Sequence, residues 1–295
     1  MILGSSLRLG VASDFIELLK PRVTALVIAT TLGGLWLAPG TPSRTLVIFT
    51  LLGTVLLVGA ANALNMYLER DTDALMARTR NRPLPAKRMA PGIALWFGVI
   101  LAVVSATLLT LTVNVLTGLL GVIAFISYVL FYTPLKQKSY VALLIGAVPG
   151  AMPPLMGWTA ATGSLRVPGD FPGLVLFSIL FLWQIPHFLA IALFRQKEYA
   201  KAGIKILPLE KGVDATKHML VRYLAGLVAV SFYPVSFGMT GPAYLVIALV
   251  LGITFFGWGC YGLRKSAGVR WAWGFFIASI IYLPVLLAVL ALSAH

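Results

Sequence analysis

Apolar windows of about 20 residues, the length that spans a bilayer core, recur nine times along this sequence. They fall near 23–38, 45–67, 92–110, 113–132, 141–161, 171–194, 220–238, 241–262 and 271–292. A chain buried so often in hydrocarbon must satisfy its own backbone donors and acceptors, and helices do this within each segment. Only 11% of the residues are charged and 59% are hydrophobic, against about 25% charged in ordinary soluble domains. The expected architecture is an all-α integral membrane protein of nine transmembrane helices. It forms one membrane-embedded domain over 1–295, with 1–21 as an N-terminal segment on the cytoplasmic side.

The loop charges give the expected orientation. With the N-terminus inside, every Lys and Arg except Arg44 and Arg166 falls in an inner loop or at an adjoining helix end, so the positive-inside rule predicts N-in and C-out. The net charge of +14 is spread between apolar runs, with no separate polar domain on which a nucleic acid would dock. The two long inner loops, after the second and sixth spans, lie four helices apart, which predicts two four-helix pseudo-repeats plus a ninth helix. Residues 14–19 suit a short interfacial helix stopped by Lys20-Pro21-Arg22. Val23–Ala38 imitates a signal-peptide core, but no A-x-A-like site follows it, and the first span is expected to be retained. Cys260 is the single cysteine and the three histidines are far apart, a pattern that argues against a disulfide or a His-rich metal cage.

One inner loop concentrates the chemistry. At the end of the second span, Glu69, Asp71 and Asp73 place three carboxylates in five residues, and Asn65, Glu69 and Asp73 are spaced i, i+4, i+8. On a helix that spacing stacks them along one face. Oxygen donors at that pitch suit Mg²⁺, which takes a few carboxylates together with substrate phosphates. Arg78, Arg80 and Arg82 follow, and their guanidinium forks match phosphate oxygens. The combination reads as a diphosphate site; the alternative is a solvated loop that only sets orientation.

Other positions carry weaker signals. Glu198 is the early acid of the second long loop and a candidate for a second metal contact, although that loop also suits a basic helix lying on an anionic leaflet. Tyr132 and Lys136 close the fourth span, as a phosphate contact or as interfacial anchors. The Gly146–Trp158 stretch, rich in Gly and Pro, is expected to break the fifth span where backbone lines a cavity. Trp183, Gln184 and His187 surround Pro186 within the sixth span, where polar groups mark function or an interhelical hydrogen bond.

These residues together resemble the UbiA-type intramembrane prenyltransferases, and in particular the protohaem IX farnesyltransferases. Asn65-x-x-x-Glu69-x-x-x-Asp73-x-x-Met76-x-Arg78-Thr79-x-x-Arg82-Pro83-Leu84 is similar to that family's first acidic motif, and Glu69, where the superfamily generally has Asp, points to the haem branch. Tyr132-Thr133-Pro134-Leu-Lys136, Pro153-Pro154-x-x-Gly157-Trp158, Trp183-Gln184-x-Pro186-His187-Phe188 and Tyr199-x-x-x-Gly203-Ile-x-x-Leu-Pro208 are similar to it as well, over roughly 15–285. The chain departs from the pattern at Glu198, where the second motif usually has Asp before the tyrosine.

The resemblance implies transfer of a farnesyl group from farnesyl diphosphate to a vinyl group of haem B, with addition of water, giving haem O for haem-copper oxidases. It implies Mg²⁺ as cofactor, with Asn65, Glu69, Asp73, Arg78, Arg82 and Lys136 as catalytic residues. The metal contacts would be Asn65, Glu69, Asp73 and Glu198, and His187, Trp183, Gln184 and Tyr132 would contact haem. The lipid bilayer and haem-handling membrane proteins would be its partners, in the inner (plasma) membrane of a cell or the inner membrane of a mitochondrion. Two other readings compete: a prenyltransferase for an aromatic quinone precursor, and a transporter or non-catalytic assembly factor. A coupled carrier expects acids at mid-membrane, whereas here the acids fall in loops or at helix ends.

Overall fold

Charge pairing and proline placement decide where the helices of this chain begin and end. The computed structural model describes residues 12–294, and their regular structure is helical apart from one isolated bridge between Thr240 and Ala294. Helix α1 covers 12–18. Lys20 then takes a left-handed backbone (φ 46°), and Pro21 opens α2, Pro21–Leu37, in the first turn where its missing N–H costs nothing. Ser43 caps α3, Arg44–Ala74, by accepting from the Leu46 N–H.

At about 1.5 Å per residue the 31 residues of α3 run for about 46 Å, well beyond a hydrocarbon core of about 30 Å. The helix therefore continues seven residues past the end expected from hydropathy. Its last turns are polar, and they stay helical because basic side chains from elsewhere neutralise Glu69 and Asp73.

Helix α4, Pro91–Leu108, widens into a π-turn at Leu109–Val113. Helix α5, Val115–Ile126, is capped by Asn114 and continues through a second π-turn, Ser127–Tyr132, to Leu135. The remaining longer helices are α6, Ala142–Thr162; α7, Phe171–Phe194; α8, Gln196–Lys201; α9, Val213–Val230; α10, Pro242–Tyr261; and α11, Val269–Ser293, with a single helical turn at Leu207–Glu210 between α8 and α9. Helix α9 starts seven residues before the expected 220, because the polar turn from Asp214 to His218 is itself helical. It stops at Val230, before the separate turn Tyr233–Ser236 that contains Pro234.

The expected break in the fifth span is not there. Helix α6 runs without interruption through Pro149, Pro153 and Pro154. Its Gly/Pro composition serves close packing instead. A Cβ on Gly157 would strike the α2 backbone at Thr31, and one on Gly34 of α2 would strike the Pro154 carbonyl. Small residues let membrane helices approach at this distance.

Helices α2 through α7 pack on their chain neighbours, α7 packs on α9, and α9 packs on α10. Helix α2 also packs closely on α6, and α11 packs on α7 and α10 and touches α2. Among the described residues, eight helices are long and apolar enough to cross a membrane, and α2, at 17 residues, is a shorter apolar helix. The outer surface carries exposed Trp36, Val103, Leu111 and Val246, while Ile179, Leu220, Leu224 and Phe275 are buried between helices.

Candidate active site

The last turns of α3 hold Asn65, Glu69 and Asp73 on one buried face, at 3%, 5% and 1% exposure. Burying carboxylates is costly unless they are paired, and each member of the row meets a cation from a different segment. Lys20 Nζ donates to Asn65 Oδ1 at 3.0 Å. Lys136 Nζ donates to both Glu69 oxygens at 3.0 and 3.1 Å. Arg82 Nη1 donates to Asp73 Oδ2 at 2.6 Å. Thr79 Oγ1 holds the loop between Asp73 and Arg82 by donating to the Asp73 carbonyl.

Proton counting orients Asn65. The Thr133 hydroxyl donates its one proton to the Tyr128 carbonyl at 2.8 Å, so it can only accept from Asn65 Nδ2, 3.2 Å away. The Asn65 oxygen is thereby turned toward Lys20.

The second long loop closes over this end. The Lys205 N–H donates to the Lys136 carbonyl, and Met76 packs with Ala202 and Ile204. Glu198 sits between two arginines, 2.8 Å from Arg195 Nη1 and 3.5 Å from Arg78 Nε. Its Oε1 is buried and takes no hydrogen bond among the described residues. Arg80 is exposed. Lys20, Arg78, Arg82, Lys136 and Arg195 thus surround Glu69, Asp73 and Glu198, five cations to three carboxylates.

That excess shows at Lys20. Burial, helped by the Arg82 guanidinium, pushes the Lys20 ammonium down to about 7. Lys136 is buried as well, but Tyr132 and Glu69 outweigh the burial and hold it above its ordinary value. A cluster built this way has room for added negative charge.

Tyr132 connects the cluster to the interior. Its ring lies 6.0 Å from Lys136 Nζ and 5.2 Å from the Tyr128 ring, and it fills the place a side chain at Gly146 would take. One turn along α6, Gly150 gives the same room to Gln184, whose Nε2 donates to the Leu180 and Ala147 carbonyls.

Trp183 and His187 point elsewhere, toward α11. Trp183 Nε1 donates to the Ser279 carbonyl at 2.8 Å, and His187 Nδ1 lies 2.7 Å from Ser279 Oγ. The structure therefore brings Asn65, Glu69, Asp73, Arg82, Lys136 and Tyr132 together and sets Arg78 and Glu198 beside them. The Trp183–His187 pair forms a second group between α7 and α11. Among the described residues, no three His, Cys, Asp or Glu side chains converge as a closed metal cage.

Sequence reasoning missed Lys20, Thr133 and Ser279. Lys20 stands 45 positions from Asn65, beyond any local spacing, and its one signal was a lysine at the chain reversal before Pro21.

Comparison with known proteins places the whole chain. The sequence matches the UbiA prenyltransferase family over residues 27–280. The chain belongs to that family. It is 52% identical to a protohaem IX farnesyltransferase of Sorangium cellulosum (strain So ce56), covering 91% of this chain and 100% of that one. It is 51% identical to another from Myxococcus xanthus (strain DK1622), over 96% of this chain and 95% of that one.

Solved structures share the fold. A digeranylgeranylglyceryl phosphate synthase superposes with a TM-score of 0.82 at 17% identity, covering 96% of this chain and 98% of that one. A UbiA homologue from Archaeoglobus fulgidus bound to DMAPP and Mg²⁺ superposes with a TM-score of 0.68 at 17% identity, covering 94% and 99%. The protein is a multi-pass membrane prenyltransferase of this family.

Proposed function

We propose that the chain transfers the farnesyl group of farnesyl diphosphate to a vinyl group of haem B, adds water, and releases diphosphate and haem O. The acid row with its surplus cations carries the prenyl-diphosphate half of this reading. The names of its curated relatives supply the acceptor.

The donor set fits Mg²⁺. Glu69, Asp73 and the Asn65 amide offer hard oxygens on one face, and Glu198 adds a buried oxygen without a hydrogen bond. When bound, Mg²⁺ draws electron density from the diphosphate oxygens. Arg82, Lys136, Lys20 and Arg78 stabilise the charge that builds on diphosphate as the farnesyl C1–O bond breaks and the electron pair leaves with oxygen. C1 then bonds the terminal carbon of the vinyl group. Water adds its oxygen to the neighbouring vinyl carbon and gives up a proton. The Tyr132 and Tyr128 rings lie beside the cluster, where their faces favour positive charge.

We assign Trp183, Gln184, His187 and Tyr132 to the haem, with His187 as the iron contact; its part-buried imidazole stands in apolar surroundings. Helix α2 serves as the ninth span, and the charged end of the bundle faces the cytoplasm across a bacterial plasma membrane. That face also offers a contact to haem-handling membrane proteins. The loop charges support this orientation.

The test is an acceptor competition with radiolabelled farnesyl diphosphate and purified protein. Label is expected to pass to haem B and not to an aromatic quinone precursor such as 4-hydroxybenzoate. Transfer to the aromatic acid alone would overturn the assignment.

A further inference from the structure

Ser279 is fully buried on α11 and makes three contacts that act together. Its hydroxyl oxygen lies 2.6 Å from the Phe276 carbonyl and 2.7 Å from His187 Nδ1, and its own carbonyl accepts the Trp183 indole N–H at 2.8 Å. A serine hydroxyl has one proton. The Phe276 carbonyl is only an acceptor, so at 2.6 Å that proton is committed to it. The oxygen can then only accept from the imidazole, which makes Nδ1 the protonated nitrogen of His187.

In a neutral imidazole the remaining lone pair lies on Nε2, on the ring edge away from Ser279. Ring contacts hold its plane as well, Trp183 stacked at 4.7 Å and 24° and Phe276 tilted at 4.9 Å and 37°. The indole that stacks on His187 is itself fixed by Ser279, so one residue sets both the tautomer and the ring's neighbour. Metal-bound histidines are commonly oriented in this way through their other ring nitrogen.

We propose that Ser279 is a positioning residue that holds His187 as its Nδ1–H tautomer and so presents the Nε2 lone pair to the iron of the haem acceptor. This rests on the assignment of His187 to haem given above. No proton or electron is exchanged in the step: Nε2 donates its lone pair to iron, and Nδ1 keeps its proton on Ser279.

Two measurements on the full chain in detergent test it. The first is nitrogen NMR of the unsubstituted protein with labelled histidine, the His187 signals being assigned by their loss in His187→Ala. The unprotonated nitrogen of His187 is expected to be Nε2. An unprotonated Nδ1 would overturn the proposal whatever the variants do.

The second is titration of ferric haem B followed by its Soret band. Wild type should give a histidine-ligated spectrum and His187→Ala should lose it. Ser279→Ala should weaken haem affinity by about 10-fold or more and shift the band, while Ser279→Thr, which keeps a hydroxyl, restores both. Binding of farnesyl diphosphate with Mg²⁺, expected to be unchanged in Ser279→Ala, reports that the variant is folded. Wild-type affinity and spectrum in Ser279→Ala would overturn the positioning role and leave His187 as the ligand. An unchanged spectrum in His187→Ala would remove the haem assignment itself, and this proposal with it.

Discussion

Asn65, Glu69 and Asp73 differ in chemistry but share one problem, a polar group buried at the end of an apolar helix. The fold solves it with one cation for each. These cations do double duty in the proposed reaction, balancing the acids before substrate arrives and diphosphate afterwards. Glu69→Gln and Asp73→Asn keep shape and remove charge, so each should lower kcat/KM by about 10²–10³-fold, the loss typical of an electrostatic contact made to the transition state. Steady-state kinetics across a Mg²⁺ titration would check this; full activity of the double variant would end the metal-site reading. Among the arginines, Arg82 is turned inward and Arg80 is exposed. Arg82→Lys should raise KM for farnesyl diphosphate about 10-fold, a change of about 1.4 kcal/mol, because the bidentate fork is lost. Arg80→Lys should leave KM unchanged, and equal effects at both positions would indicate a general basic surface. The acid row was legible because its spacing is local. Lys20 was not, because only the packing of α2 against α3 brings it to Asn65.

At the scale of the elements, hydropathy located the helices and missed what holds their ends. The apolar run of α3 ends near residue 67, but ion pairs carry the helix to Ala74, and a hydropathy window is blind to pairing. The Gly/Pro run of α6 was expected to break the helix, but small residues also allow a close crossing. The contact of Gly157 with the α2 backbone decides for the crossing.

The loop between α6 and α7 illustrates a polar clamp of the opposite end. Asp170 accepts from the Trp158 indole at 2.9 Å and the Arg166 N–H at 2.7 Å. Burial would raise its carboxyl, but these bonds, with those from Ser164 and Thr162, hold it below its ordinary value. A carboxylate with a depressed folded-state value stabilises the fold above the unfolded value of about 3.9, and that contribution fades as pH falls through the folded value. Asp170→Asn should therefore cost about 1–3 kcal/mol at neutral pH, seen as a lower midpoint of thermal unfolding. The gap to wild type should narrow below pH 4, and a gap independent of pH would contradict the charge-based account.

For the whole molecule, the arrangement divides labour between the two ends and the middle. The long loops gather basic groups over the acid row at one end of the bundle, the middle of α7 carries Trp183 and His187, and the bundle surface exposes large apolar side chains. The proposed N-in, C-out orientation is tested by single cysteines placed in a Cys260→Ser background, with an impermeant thiol reagent added to intact cells. A cysteine at position 166 should label and one at position 201 should not; the reverse pattern would turn the bundle over.

The central claim is that this site joins a farnesyl group to haem, and the most direct measurement is the mass of the haem extracted from cells that lack haem O and express this chain. Expression of the wild type should produce a haem heavier than haem B by one farnesyl group and one hydroxyl group, and the Glu69→Gln/Asp73→Asn variant, inserted at equal level, should leave only haem B. Haem B alone in both, with the wild-type protein present and folded in the membrane, would contradict the account.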